Sequence, residues 1–291
     1  MLETGNKIQN IHTLIDESYQ SDRPEVYDLF IYACENELSC AVAIRNSKQF
    51  IAMESWKIIA SNLDYEDALL EARTQSVILK TSNFRRVICC SGFRNSTLIP
   101  NPLYDPSSSE DQLKFSHKVN FDDEIMTDEL RQVEAKNVYS LPTSLYSSIT
   151  HWFPNAEIHH SSTSLIEYLL SVNRNSKEEK MTINTHNQFI EIVVTRGKEI
   201  LLYNSYDFES PEEMVYYILF VCEQLHLNPE IVDVSFCGEI EASDAAYVLT
   251  NKYIRNTQFA ERPEHYAYSS VFNSIPTHYH FNLFSQLVCA S

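Results

Sequence analysis

Short apolar runs alternate along this chain with longer stretches in which apolar residues recur at helical spacing, and the clearest alternation lies between residues 198 and 240. Ile200, Leu201, Leu202 and Tyr203 make a compact run that fits a buried strand. Ser210 then precedes Pro211, with Glu213 three residues on, the pattern of a capping box with proline at the first helical position. Met214, Ile218, Cys222 and Leu225 follow at helical spacing. Val215, Leu219 and Val221 widen that face, and Tyr216, Tyr217 and Phe220 nearly close it. A helix apolar almost all round predicts burial between other elements, so 211–226 is expected to be the most buried helix of its half. Ile231, Val232, Val234 and Phe236 form the next strand, stopped at Gly238. Strand, helix and strand of these lengths predict a parallel pair with a right-handed crossover.

The same patterning gives the rest of the chain. Residues 1–25 are polar and predict a loose N-terminal arm. Segments 26–34 (VYDLFIYAC), 38–45 (LSCAVAIR) and 49–56 (QFIAMESW) predict three strands whose connections are short enough for hairpins. Asp64 caps a predicted helix over 65–80, and 86–91 (RVICCS) is a fourth strand ending at Gly92. Residues 93–132 hold three prolines, a serine run and the acidic DDEIMTDE, which predict loop and solvated surface. A strand over 137–141, a helix from Pro142 to His151, a strand over 157–160 and a helix over 161–172 come next. The charged run 173–180 (NRNSKEEK) is read as a linker between a first half, 26–172, and a second, 181–291. Beyond it the order repeats: strands over 181–186, 188–195 and 199–206, the capped helix, and the strand to Gly238. A helix over 243–254 and an edge strand over 257–260 complete the repeat, and the tail 280–289 (HFNLFSQLVC) is apolar enough to dock on the body.

Composition narrows the function classes. A formal charge of −18 argues against a binder of nucleic-acid backbone. The chain has 4 glycines, and neither a dinucleotide fingerprint nor a P-loop can be built from them. The 7 cysteines are odd in number, lack a C-x-x-C pair and sit mostly in apolar runs, which points to buried thiols in a reducing, cytoplasmic setting. Residues 1–25 carry no continuous apolar core, so no secretory signal is expected, and no run reaches the ~18 apolar residues of a membrane span.

Both halves therefore read β-β-β-α-β followed by α and β. Duplicated, that order predicts an α/β protein of two ribonuclease H-like halves, each with a mixed five-stranded sheet, the architecture of the actin-like ATPase fold. The run YNSYDFESPEEMVYYILFVCEQLHLNP…FCGEI, with TLIPNPLYD and NVYSLP before it, resembles an uncharacterised bacterial family common in Bacteroidota, a domain of unknown function with an actin-like ATPase fold. The resemblance covers about residues 26–290 and implies a fold without an established activity. The halves are more weakly similar to PilM- and GspL-type proteins.

In actin-like ATPases a D-x-G turn joins the first two strands of each half; the Asp orders magnesium and the Gly admits phosphate to backbone amides. Here the corresponding turns are CENELSC, 34–40, and NTHNQ, 184–188, and neither contains Asp or Gly. If nucleotide binding is retained, Asn184, His186 and Asn187 would face the phosphates, Gly238 and Glu239 would form the adenosine loop, and Glu35 or Glu37 could hold a metal. Adjacent His159 and His160 point to opposite faces of a strand and cannot share an ion, whereas His278 and His280 could lie on one face as chelators. Cys89 and Cys90 alternate faces likewise, as core. Tyr203, Tyr206, Tyr216 and Tyr217 cluster as packed core, a cleft lining or a partner surface. No G-x-S-x-G or H-E-x-x-H occurs. The expectation is an interaction or scaffold protein with a degenerate nucleotide site, no catalytic residues and no cofactor. Its partner would be another protein, with homo-oligomerisation left open. The alternative is a divergent ATP-binding protein using ATP and magnesium.

Overall fold

The computed structural model describes residues 7–59 and 64–288. The first half begins with β1 (Ile8–Ile15), β2 (Tyr27–Ala33), β3 (Glu37–Ile44), β4 (Gln49–Ile58), α1 (Tyr65–Gln75) and β5 (Arg86–Ser91). Then come β6 (Ser96–Pro100), α2 (Ser109–Lys114), β7 (Asp123–Leu130), β8 (Ala135–Pro142), α3 (Thr143–Trp152), β9 (Glu157–His160) and α4 (Ser161–Val172). The second half holds β10 (Glu179–Thr185), β11 (Phe189–Arg196), β12 (Glu199–Asp207), α5 (Pro211–Gln224), β13 (Asp233–Gly238), α6 (Ala245–Thr250) and β14 (Asn256–Phe259). The chain closes with β15 (Ala267–Tyr268) and the short helix α7 (Phe281–Phe284).

The two main sheets share one plan. The order β4-β3-β2-β5-β9 in the first matches β12-β11-β10-β13-β14 in the second. In each, a three-strand antiparallel meander is followed by two parallel additions. The second sheet has the expected five strands. The first has seven, because β1 pairs antiparallel with β4 and β15 pairs parallel with it. The loose arm expected over 1–25 is thus a strand over much of its described length, and residues 1–6 lie outside the described residues. The sequence hides β1 because its side chains are mostly outside the core, with Ile8 its one buried residue.

A third sheet, β6-β8-β7, is centred on the strand expected over 137–141, now β8, and its β6 and β7 stand where 93–132 predicted loop and surface. Its β7 is an outer strand that buries only Asp128 and Leu130, so its acidic composition masks a real strand. Each main sheet is covered by helices on one face and by shared elements on the other. Helices α1 and α3 cover the outer face of the first sheet around Leu29, Ile31, Leu69 and Ile149. Helices α5 and α6 cover the outer face of the second around Ile192, Met214, Ile218 and Tyr247. Between the sheets lie α4 and the C-terminal segment: Leu165 and Leu169 pack on Val193 and Cys237, and Phe272, Leu283 and Phe284 pack on Phe30 and Phe50.

The cap of α5 forms: Ser210 Oγ accepts from the Glu213 amide at 3.2 Å, and the Glu213 carboxylate reaches one residue past the cap to accept from the Glu209 amide at 2.7 Å. The helix is not the most buried of its half, however. Met214, Val215, Ile218, Val221 and Cys222 are buried, but Tyr216 is 61% exposed, whereas α7 is buried throughout. One flank of α5 packs on the second sheet and on α6, with Tyr217 half-buried against that core, while Tyr216 stands outside it.

Candidate functional site

The two hairpin turns that would hold phosphates meet across the cleft between the halves. Both are tight and close in the same way. The Cys34 amide donates to the Glu37 carbonyl at 2.9 Å, and the His186 amide donates to the Phe189 carbonyl at 3.0 Å. Asn187 is exposed at the tip of the second turn, while Asn184 and His186 are buried at its base. Gly238 ends β13 beside Thr185, at φ +88°, where a Cβ would run into the Thr185 carbonyl. Its amide donates to the His278 carbonyl at 3.0 Å, and the Glu239 amide donates to the Thr185 carbonyl at 3.3 Å. The structure therefore brings Asn184, His186, Asn187, Gly238 and Glu239 to one place.

The C-terminal segment runs through that place. Asn282 is 6% exposed, and its amide group lies between Asn184, at 3.0 Å, and Tyr32, at 3.4 Å. Gln286 Nε2 donates to the Ile31 carbonyl at 2.9 Å, and His278 Nε2 lies 2.7 Å from the Ile240 carbonyl. One segment thus bonds to both halves. The space left among Tyr32, Glu37, His186, Gly238 and Asn282 is ≈ 20 Å³. That holds a water; pockets for drug-sized ligands start at about 300 Å³.

The inner face of the second sheet carries a charge that sequence reasoning missed. Glu191, 2% exposed, stands opposite Asn184 across the β10–β11 pair. It accepts from Asn184 Nδ2 at 2.7 Å and from Tyr203 Oη at 2.9 Å, and His186 Nε2 lies 3.0 Å away. Burial pushes its carboxyl up, but the His186 hydrogen bond, the His186 and His160 charges and Asn184 outweigh it and hold the pKa at about 2. The network runs on through Tyr203 to Ser96, at 3.1 Å, and Ser96 to Asn137, at 2.8 Å. Asn137 then reaches Ser162 and Thr163 at the start of α4. A lone carboxylate inside the apolar run QFIEIVVT was the available signal.

Beside the turns a second cavity, ≈ 340 Å³, opens between β1, β4 and the loop after Gly238. On its wall His280 Nδ1 lies 2.9 Å from Glu37 Oε1, His280 Nε2 3.3 Å from His12 Nδ1, and His12 Nδ1 3.2 Å from Ser55 Oγ. Burial, then the nearby His280, holds the His12 pKa down. Burial raises the Glu37 carboxyl, but the His280 charge and hydrogen bond bring it below its ordinary value. His278 and His280 do not chelate together: His280 takes φ +53°, turning the two rings to different partners, and His278 stacks on Phe259. His159 pairs with Asp128, and His160 bonds Ser162 and the Phe93 carbonyl. Among the described residues no group of three or more His, Cys, Asp or Glu is arranged to hold a metal ion.

A model of a family described as proteins of unknown function, DUF3822, matches residues 16–257. The chain belongs to this family. Curated proteins give no match. A Bacteroides thetaiotaomicron VPI-5482 protein, described as having an actin-like ATPase fold and unknown function, aligns with TM-score 0.75 at 21% identity, over 83% of this chain and 93% of that one. A PilM–PilN type IV pilus biogenesis complex aligns with TM-score 0.54 at 11% identity, over 92% and 99%. At these identities the likeness establishes the fold of this DUF3822 chain: it is actin-like, as the duplicated strand order and the YNSY…YYILF run implied. No helix among the described residues is long and apolar enough to cross a membrane.

Proposed function

We propose that this DUF3822 chain is an interaction protein that keeps the actin-like frame without turning over nucleotide. The observation that carries this reading is the C-terminal segment in the cleft, with Asn282 between Asn184 and Tyr32 and ≈ 20 Å³ left beside them. Phosphoryl transfer in this fold needs a carboxylate to order magnesium and free amides to offset charge. The amides of Cys34, His186, Gly238 and Glu239 are each engaged by a carbonyl. No carboxylate stands in the second turn, where Asn184, His186 and Asn187 lie.

The alternative, a divergent ATP-binding protein, would find room beside the turns in the ≈ 340 Å³ cavity. Glu37, Glu239, Glu241 and Asp244 line it against a single lysine, Lys57, so a polyphosphate would meet a field of its own sign. The fold neighbour PilM is found in a complex with PilN, which supports a partner-binding use of the frame. The described cysteines are all free and buried, which fits a reducing compartment. The test is purified chain with ATP and magnesium, read by phosphate release and thermal shift. No release and no shift are expected. Steady turnover lost on Glu35→Gln or Glu37→Gln overturns the proposal, and a shift without release favours the ATP-binding alternative.

A further inference from the structure

The tyrosines of 203–217 are only partly used by the cleft network. Tyr203 turns inward to Glu191; the others lie on the outer face beside a free strand edge. Tyr206 stacks on Tyr217 with ring centres 4.7 Å apart, Tyr217 meets Tyr216 edge-on at 5.4 Å, and Tyr216 stacks on Phe220 at 6.1 Å. These four rings form a ladder, and Tyr216 is the most exposed, at 61%.

The strand beside the ladder is β12. It ends the second sheet and pairs only with β11 among the described residues. β11 is buried from Phe189 to Thr195, whereas β12 is half-exposed along most of its length, with Asn204 and Asp207 open to solvent. The register shifts around Leu201, which leaves 202–207 as an unbroken edge. Exposed edges are commonly blunted by charge, as β7 is by Asp123, Glu124 and Glu129. Residues 202–207 (LYNSYD) carry one charge, Asp207 at the end, and Arg94 holds it at 2.5 Å. Apart from Arg94, the chain around the edge is acidic. From 203 to 224 the chain has the carboxylates Asp207, Glu209, Glu212, Glu213 and Glu223 and no lysine, arginine or histidine.

We infer that the edge of β12 and its aromatic ladder are a docking site for an extended, basic segment of a partner protein, which adds a strand to the second sheet. This rests on the interaction reading above and names the kind of partner. Main-chain groups of 202–207 supply the pairing, and alternate side chains of the added strand lie over the ladder. Lysine or arginine there meets both aromatic faces and carboxylates. A second copy of this chain would bring the same acidic 203–224, with no lysine, arginine or histidine in it to meet these carboxylates, so it lacks the charge complementarity that a basic segment has.

The test uses the full chain and a fluorescein-labelled peptide of alternating lysine and valine, with a glutamate–valine peptide as control. Anisotropy is expected to show the lysine peptide binding in a salt-sensitive manner, weakened about tenfold by Tyr216→Lys or Glu212→Lys. Both residues are exposed, so the fold should survive, and an unchanged melting temperature confirms it. Hydrogen exchange should slow across 202–207 when the peptide is present. Equal binding of the two peptides, binding without slowing at 202–207, or self-association abolished by Tyr216→Lys overturns the inference. Phosphate release measured on the same preparation separates the two claims. Absent turnover with no peptide effect overturns the docking site alone; steady turnover overturns the reading beneath it.

Discussion

The two halves share a strand order and differ at the corresponding turns. In each, the fourth strand runs up to a glycine beside the first hairpin: Gly92 just after β5, Gly238 at the end of β13. In the first half, a Cβ at Gly92 would meet the ring of Tyr32. In the second, a Cβ at Gly238 would meet the Thr185 backbone, and φ of +88° disfavours any other residue. The inner faces differ in kind as well. The first sheet presents Phe30, Phe50 and Cys90 to the C-terminal segment, whereas the second presents Asn184 to it, with Glu191 buried behind. One topology therefore carries an apolar seat on one side of the cleft and a buried charged network on the other. The C-terminal segment is built to match both: Phe284 for the first, Asn282 for the second.

Substitutions break this comparison in graded steps. Gly238→Ala should be the most damaging, costing about 4 kcal/mol in chemical denaturation, because backbone strain and a backbone clash act together. Glu191→Gln should cost about 3 kcal/mol at neutral pH by removing a buried carboxylate from its partners. The pH profile gives the sign. The folded carboxyl titrates at about 2, below the ordinary 4.5, so its stabilisation is present above the ordinary value and fades as pH falls toward 2. Wild type should lose stability across that window more steeply than Glu191→Gln. Gly92→Ala should cost about 2 kcal/mol, and Tyr32→Leu in the same chain should recover part of it, since the obstacle is a side chain. No second-site change of this kind should rescue Gly238→Ala. Equal rescue at both glycines would mean that they play the same role.

Much of this was legible in the chain. Apolar runs such as RVICCS and QFIEIVVT placed central strands of both sheets, and Ser210, Pro211 and Glu213 placed the start of α5. The elements that escaped are β1, with one buried residue, β6 and α2 in the proline- and serine-rich stretch, β7, an acidic outer strand, and the two-residue β15. The periodicity of α5 overstated its burial because a run such as MVYYILFVC does not say whether its second face has a neighbour. The turn residues Asn184, His186 and Gly238 were found from their place in the repeat. Asn282 and Tyr32 were not, because their meeting joins positions 250 residues apart and has no local signature. Tail residue Cys289 lies outside the described residues, while 281–286 are buried against the body, as the apolar pattern implied.

The account stands on the C-terminal segment closing the cleft, and hydrogen exchange over residues 277–286 tests that most directly. In native protein, the amides of Leu283 and Phe284, which donate to the His280 carbonyl inside the closed cleft, should exchange as slowly as those of β2 and β10. Saturating ATP with magnesium should leave that rate unchanged. Fast exchange in the free chain, or a rise in exchange over 277–286 on adding ATP, would show a cleft that opens for nucleotide and would contradict the account.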